Sequence, residues 1–284
     1  MKVQNVPAGA VGIFDSGVGG LTVCQAIRRR YPTIPFVYLG DSLRAPFGDR
    51  SLVEIRQINF EILDFLNQFP LRMIVSGCNT SSATVLQDNQ AFFSLPVLGL
   101  IDPAAKAVGR LDQVKKITVL ATAGTVRSGA YGQLIRQYAP EGVHIRELAC
   151  PAFVPLIENP NTTPTQFRIA VREFQSELEH SDVVVFGCTH YPYLQHYIRE
   201  LCPPWVNFVD PAEAVAEELG RILGSDGDTV LLEKAPGDQF FTTGNPQTFK
   251  TLAGQLVPGL VTEVKRVHLT TLELFGLSPL KKAA

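Results

Sequence analysis

Apolar positions along the chain fall into two alternating textures. Short runs rich in branched residues have the length and continuity of strands buried on both faces: VGIF (11–14), FVYL (36–39), RMIVS (72–76), ITVLA (117–121), VHIREL (143–148), DVVVF (182–186) and WVNFV (205–209). Between them, LTVCQAIRRRY, SLVEIRQINFEILDFLNQF and TPTQFRIAVREFQSELE space apolar residues three and four apart, which predicts amphipathic helices. Strands alternating with helices predict an α/β fold, with mainly parallel sheets covered by helices.

The alternation also repeats. Phe14-Asp15-Ser16-Gly17 has a counterpart in Leu120-Ala121-Thr122-Ala123, and Phe36-Val37-Tyr38-Leu39 in Val143-His144-Ile145-Arg146. Ser76-Gly77-Cys78 recurs as Phe186-Gly187-Cys188, and Ile101-Asp102-Pro103-Ala104 as Val209-Asp210-Pro211-Ala212. Four matches in one order, 106 to 110 residues apart, predict two pseudo-symmetric lobes with the active site in the cleft between them. The boundaries drawn from this pattern are 1–102 for the first part of lobe one, 103–209 for lobe two and 210–284 for a return to lobe one. The Asp-Pro-Ala pieces predict helix starts with aspartate at the N-cap and proline first in the helix, each a crossover between lobes. A late strand and helix are expected between Phe240 and Gly276.

Composition narrows the chemistry. With 25 basic against 27 acidic side chains, the chain has no broad basic field, so neither nucleic acid nor an anionic membrane is an expected partner. No apolar run reaches membrane-spanning length, and the first residues lack a signal-peptide layout, so a cytoplasmic protein is expected. Five widely spaced cysteines without a CxxC pair suggest neither a disulfide framework nor a structural zinc. None of the nine lysines stands in a context suited to a pyridoxal Schiff base, and no cofactor is expected.

Against that background GCNTSS (Gly77–Ser82) and GCTHYP (Gly187–Pro192) stand out. Each follows a buried strand and opens the next helix, at the carboxyl end of a strand where α/β sheets place ligands. Helix-N-terminal amides there favour a thiolate and are expected to lower its pKa. Most intracellular cysteines simply pack, and Cys24, Cys150 and Cys202 are read that way. Cys78 and Cys188 differ because the same context occurs at equivalent places in both lobes. Inverting a stereocentre needs a base on one face and an acid on the other, exchanging roles at each turnover. Asn79, Thr80, Thr189 and His190 can cap the following helices or bind a ligand. FDSGVGG (Phe14–Gly20) fails as a dinucleotide loop because Thr22 stands where the last glycine is needed. Asp15 and Ser16 are expected in the cleft beside Cys78, although an N-cap would suit them too. His190 can serve the Cys188 thiol or a substrate carboxylate, and Glu158 is expected to support it. Thr122 and Thr125 can donate to a carboxylate or merely cap.

FDSGVGGLTV, YLGDSLRAPFG, GCNTSSA, ATAGTV, CPAFVPLIE and GCTHYP, in this order, resemble the glutamate racemases of the aspartate/glutamate racemase superfamily. The resemblance implies cofactor-independent inversion of glutamate, with Cys78 acting on the D-enantiomer and Cys188 on the L-enantiomer. It implies Asp15 and His190 as auxiliary groups, and Ser16, Phe47, Gly48, Asn79, Thr80 and Thr189 at substrate-contacting positions. It further implies a homodimer supplying D-glutamate for peptidoglycan. The chain departs from the pattern at Phe47, where the family usually carries tyrosine, at Gly77 for alanine and at Asp102 for glutamate. Alternatives are an aspartate racemase, a Cys–His hydrolase and a non-catalytic amino-acid-binding protein.

Overall fold

A computed structural model describes residue 6 and residues 9–88, 95–223 and 237–270. In chain order the first elements are β1 (Ala10–Asp15), α1 (Leu21–Arg30), β2 (Phe36–Gly40), α2 (Leu52–Leu66), β3 (Leu71–Ser76), α3 (Asn79–Asp88) and β4 (Val97–Leu98). Then follow α4 (Ile101–Gly109), β5 (Lys116–Ala121), α5 (Ala123–Ser128), α6 (Ala130–Tyr138), β6 (His144–Ala149), α7 (Phe153–Glu158), α8 (Pro164–Arg172) and α9 (Gln175–Leu178). The rest are β7 (Val183–Gly187), α10 (Gln195–Arg199), β8 (Asn207–Val209), α11 (Pro211–Leu223), β9 (Gln239–Thr242), α12 (Pro246–Leu256) and β10 (Lys265–Arg266).

The strands form two sheets in which every described pairing is parallel. One runs β10-β9-β2-β1-β3-β4 and the other β6-β5-β7-β8. The block β2-β1-β3-β4 has the same winding as β6-β5-β7-β8, so the internal repeat is a repeat of topology. Its register agrees as well: Phe14 pairs with Ser76 in one sheet, and Leu120 with Phe186 in the other. The β2–β6 match is two residues out, since Phe14 faces Leu39 whereas Leu120 faces Leu148.

Strands β1 and β7 are buried along their whole length, which accounts for their unbroken apolar runs. Edge strand β6 is half-exposed, and its sequence alternates accordingly. Two further elements depart from the sequence reading. The segment 163–179, expected as one helix, breaks into α8 and α9 so that the Phe174 ring docks edge-on against Phe153, 5.5 Å between centroids. Asp102 is not an N-cap. Helix α4 begins one residue before it, and its carboxylate accepts from Tyr138 Oη (2.7 Å) and pairs with Lys106. Asp210 directly precedes α11 and accepts from the Ala212 amide, as a capping residue does. The difference follows from register: Asp210 comes one residue after β8, whereas Asp102 comes four after β4.

Helix α4 packs under β5 and β7, while α11 returns to pack with α1 on the first sheet. The second sheet's remaining face is covered by α7, α8 and α10. Beyond α11 the chain adds β9 and β10 to the edge of the first sheet; any helix after residue 270 lies outside the described residues. Among the described residues no helix is long and apolar enough to cross a membrane.

The 41–50 loop, which leads from β2 to the lobe junction, is held by a charge cluster the sequence did not advertise. Arg44 Nε lies 2.6 Å from Asp41, Arg44 Nη1 pairs with Glu61, and Asp41 also accepts from Thr243 Oγ1 at 2.7 Å. Both carboxylates are buried. Burial pushes the Asp41 carboxyl up while Arg44 pulls it back. Arg44→Met would strand two carboxylates and should cost about 3 kcal/mol of stability, read by urea unfolding. A loss below about 1 kcal/mol, the range of exposed ion pairs, would contradict this account.

Candidate active site

Burial and register place the site. Cys78 lies two residues past the end of β3 and Cys188 one past β7, on central strands whose ends face each other across the lobe junction. Both are almost fully buried, at 5% and 6% exposure, and both line one cavity of about 470 Å³. That size lies in the range of small-molecule sites. Asp15, Ser16, Phe47, Gly48, Asn79, Thr80, Thr122, Glu158, Thr189 and His190 share its wall. Thr125 does not. It is buried behind the wall, where its hydroxyl meets those of Thr80 (3.3 Å) and Thr122 (3.0 Å).

On the lobe-one side, Asp15 Oδ2 accepts from the amides of Gly20 (2.9 Å) and Gly17 (3.2 Å), closing the glycine-rich turn around its carboxylate. Burial raises the Asp15 carboxyl, opposed by His190 and the turn amides. The turn is tight for a reason other than phosphate binding. A Cβ on Gly19 would sit 2.4 Å from the His190 ring, so glycine there lets the lobes meet. The Cys78 thiol is pushed up to about 12, by burial and then by the Asp15 charge, against hydrogen bonds from Ser81. The Ser81 amide in the first turn of α3 does pull it down, but the net shift is upward, contrary to the sequence expectation, because desolvation and a neighbouring anion outweigh it. The Phe47 ring is buried in the apolar cluster that includes Cys78, where a ring without a hydroxyl leaves no polar atom unpaired.

On the lobe-two side, His190 stands between sulfur and carboxylate. Its Nδ1 is 3.8 Å from Cys188 Sγ and its Nε2 is 3.0 Å from Glu158 Oε1. Burial alone would lower the imidazole, but the bonds to Cys188 and Glu158 and their charges overcome it, raising His190 to about 10. A protonated ring donates from both nitrogens, which suits this geometry. Glu158 is held by α7, whose root is fixed where Tyr191 Oη donates to the Cys150 carbonyl at 2.9 Å. Cys150, read as a packing residue, is buried and also reaches the cavity wall, with its Sγ 3.5 Å from the Leu148 carbonyl. Cys24 is buried in the core of lobe one, and Cys202 is half-buried at the edge of that of lobe two.

Polar contacts between the lobes were largely invisible in the sequence. Tyr131 Oη donates to Asn79 Oδ1 at 2.6 Å, Thr80 and Thr122 hydroxyls meet at 3.0 Å, and Arg127 Nη2 donates to the Gly48 carbonyl at 2.8 Å. Thr122 also caps α5, accepting from the Thr125 amide, which is the capping role the sequence offered for it. At Gly124 a Cβ would lie 2.7 Å from the Gly48 carbonyl oxygen, another place where small residues permit lobe contact. A second hollow of about 490 Å³ lies against His190, beside Thr22, Arg29 and Asp210, and holds neither of the two paired thiols. Among the described residues no group of three or more His, Cys, Asp or Glu side chains is placed to hold a metal ion.

Chemically, the arrangement offers two buried sulfurs on one cavity, each with an ionisable companion. Residues 20–219 match the family model described as Asp/Glu/Hydantoin racemase. A glutamate racemase from Exiguobacterium sibiricum is 35% identical over 266 residues, covering 93% of this chain and 97% of that one. The crystal structure of a glutamate racemase isoform from Bacillus anthracis superposes with a TM-score of 0.83 at 35% identity, covering 92% of this chain and 98% of the other. That of a Francisella tularensis glutamate racemase in complex with D-glutamate gives 0.83 at 25% identity, covering 93% and 99%.

Proposed function

The chain belongs to the Asp/Glu/Hydantoin racemase family, and on that premise we propose that it interconverts L- and D-glutamate by passing the α-proton between Cys78 and Cys188, without a cofactor. The observation that carries this reading is the pair of cysteines at equivalent repeat positions, both buried against one cavity. A hydrolase needs a nucleophile and a base doing different jobs and has no use for such symmetry. Relatives named glutamate racemase at 35–40% identity favour glutamate over aspartate.

A protonated thiol at Cys78 is the acid, and Cys188, beside the His190 cation, is the entering base for L-glutamate. Cys188 takes the α-proton from one face, and Cys78 delivers its own to the other. In the reverse direction the roles exchange, with Asp15 beside Cys78 as the acceptor that helps it lose its proton. The α-proton of an amino acid is far less acidic than a thiol, so charge developing on the α-carboxylate must be stabilised. The Asn79 amide, the Thr80 and Thr189 hydroxyls and the backbone amides opening α3 are the donors at hand, acting where little water competes. By family likeness the protein is a cytoplasmic homodimer, and its D-glutamate supplies peptidoglycan synthesis.

The test is L-glutamate in heavy water with enzyme alone. The α-proton signal should disappear as optical rotation decays to zero, and aspartate should react far more slowly. Turnover of aspartate at an equal rate would move the assignment to the aspartate branch, and no loss of the α-proton from either would end it.

A further inference from the structure

The two ends of the Asn79 amide have different surroundings. Its Oδ1 takes the hydrogen bond from Tyr131, a side chain of lobe two with no exposed surface. Its Nδ2 is buried and has no partner among the described residues, and the residue lines the cavity. Buried amide donors are rarely left unpaired, and those that are require an explanation. A donor held ready for an anionic ligand supplies one.

We infer that Tyr131 is a positioning residue: its hydroxyl holds the carbonyl end of Asn79 toward lobe two, so that Nδ2 is presented to a carboxylate of the substrate. Without that bond the amide can turn, offering its oxygen to the substrate's negative charge. Because Asn79 is in lobe one and Tyr131 in lobe two, the donor is correctly aimed only when the lobes are together. Recognition of the carboxylate is thereby tied to the closed form. The tyrosine is well fixed for this task, lying in the core of lobe two against Gly187, where an added Cβ would come within 3.2 Å of its ring. The inference rests on the racemase reading above.

The experiment is a double-mutant cycle in the full-length enzyme, read as kcat/KM for glutamate. Tyr131→Phe keeps the ring and should lose about tenfold, the scale of one buried hydrogen bond. Asn79→Ala should lose at least as much. In the Asn79→Ala background Tyr131→Phe should then change the rate by less than about twofold, because the tyrosine acts only through the amide. Asn79→Asp keeps an oxygen for Tyr131 but turns a carboxylate toward the substrate, and should be as damaging as alanine even if the tyrosine variant folds poorly. Additive losses in the cycle, or near-normal activity of Asn79→Asp, would overturn the role of Tyr131 in an enzyme that still racemises glutamate. A wild-type protein that exchanges no α-proton would instead end the functional reading on which it rests.

Discussion

Replacing either Cys78 or Cys188 by alanine lowers kcat for both enantiomers by about 10³-fold or more, the scale of losing a positioned acid or base. The loss is symmetrical because each turnover uses both sulfurs. In one direction Cys78 is the acid that completes the inversion, and in the other it is the base that begins it. Binding should suffer less, since neither sulfur is a main contact for the carboxylates. Both variants should remain folded: the side chains are small, and deleting one sulfur from the cavity wall leaves the two cores intact. Chiral chromatography of reactions started from each pure enantiomer gives the comparison. A Cys188→Ala enzyme with near-normal turnover would show that one thiol, with water or histidine, suffices.

His190→Asn is expected to lower kcat by about 10²-fold, within the usual contribution of a general acid or base partner. Asparagine keeps polarity near Cys188 but carries no cation, so it cannot support the developing charge at that sulfur. Glu158→Gln weakens the same unit from behind. With the carboxylate gone, the His190 pKa falls from about 10, and the alkaline limb of the pH–rate profile moves to lower pH. The stability consequence has a definite sign. The folded pKa lies above the ordinary 6.5, so the pairing contributes fully below about pH 6.5 and fades as pH rises through about 10. Denaturant midpoints of the native protein should fall across that window, and His190→Asn should flatten the slope. A His190→Asn profile parallel to the native one would show that the imidazolium does not form.

The architecture was legible because an unbroken apolar strand followed by a helix leaves few alternatives, and because the repeat is preserved in register at the strands that matter most. Phe14 with Ser76 and Leu120 with Phe186 are equivalent pairs, which is why the two cysteines come out facing one space. Strand β4 was too short to leave a pattern, being two residues long. Asp102 misled because capping depends on where the preceding strand ends, a matter of sheet register that local sequence does not encode. The thiol acidity misled for a similar reason: helix-terminal amides are local, whereas the burial and the Asp15 charge that outweigh them come from tertiary packing. Tyr131 and Arg44 carried no signal of their own. One reads as an apolar position on an amphipathic helix and the other as a surface arginine, until the fold brings Asn79, Asp41 and Glu61 to them.

The distinction between two opposed thiols and a single base is drawn most directly by following the label through one inversion. L-Glutamate is converted by the native enzyme in heavy water, stopped early, and the two enantiomers are separated for mass spectrometry. Opposed thiols predict D-glutamate carrying deuterium at Cα and recovered L-glutamate still carrying hydrogen. D-Glutamate that retains the original hydrogen, or L-glutamate labelled as fast as product forms, would contradict the account.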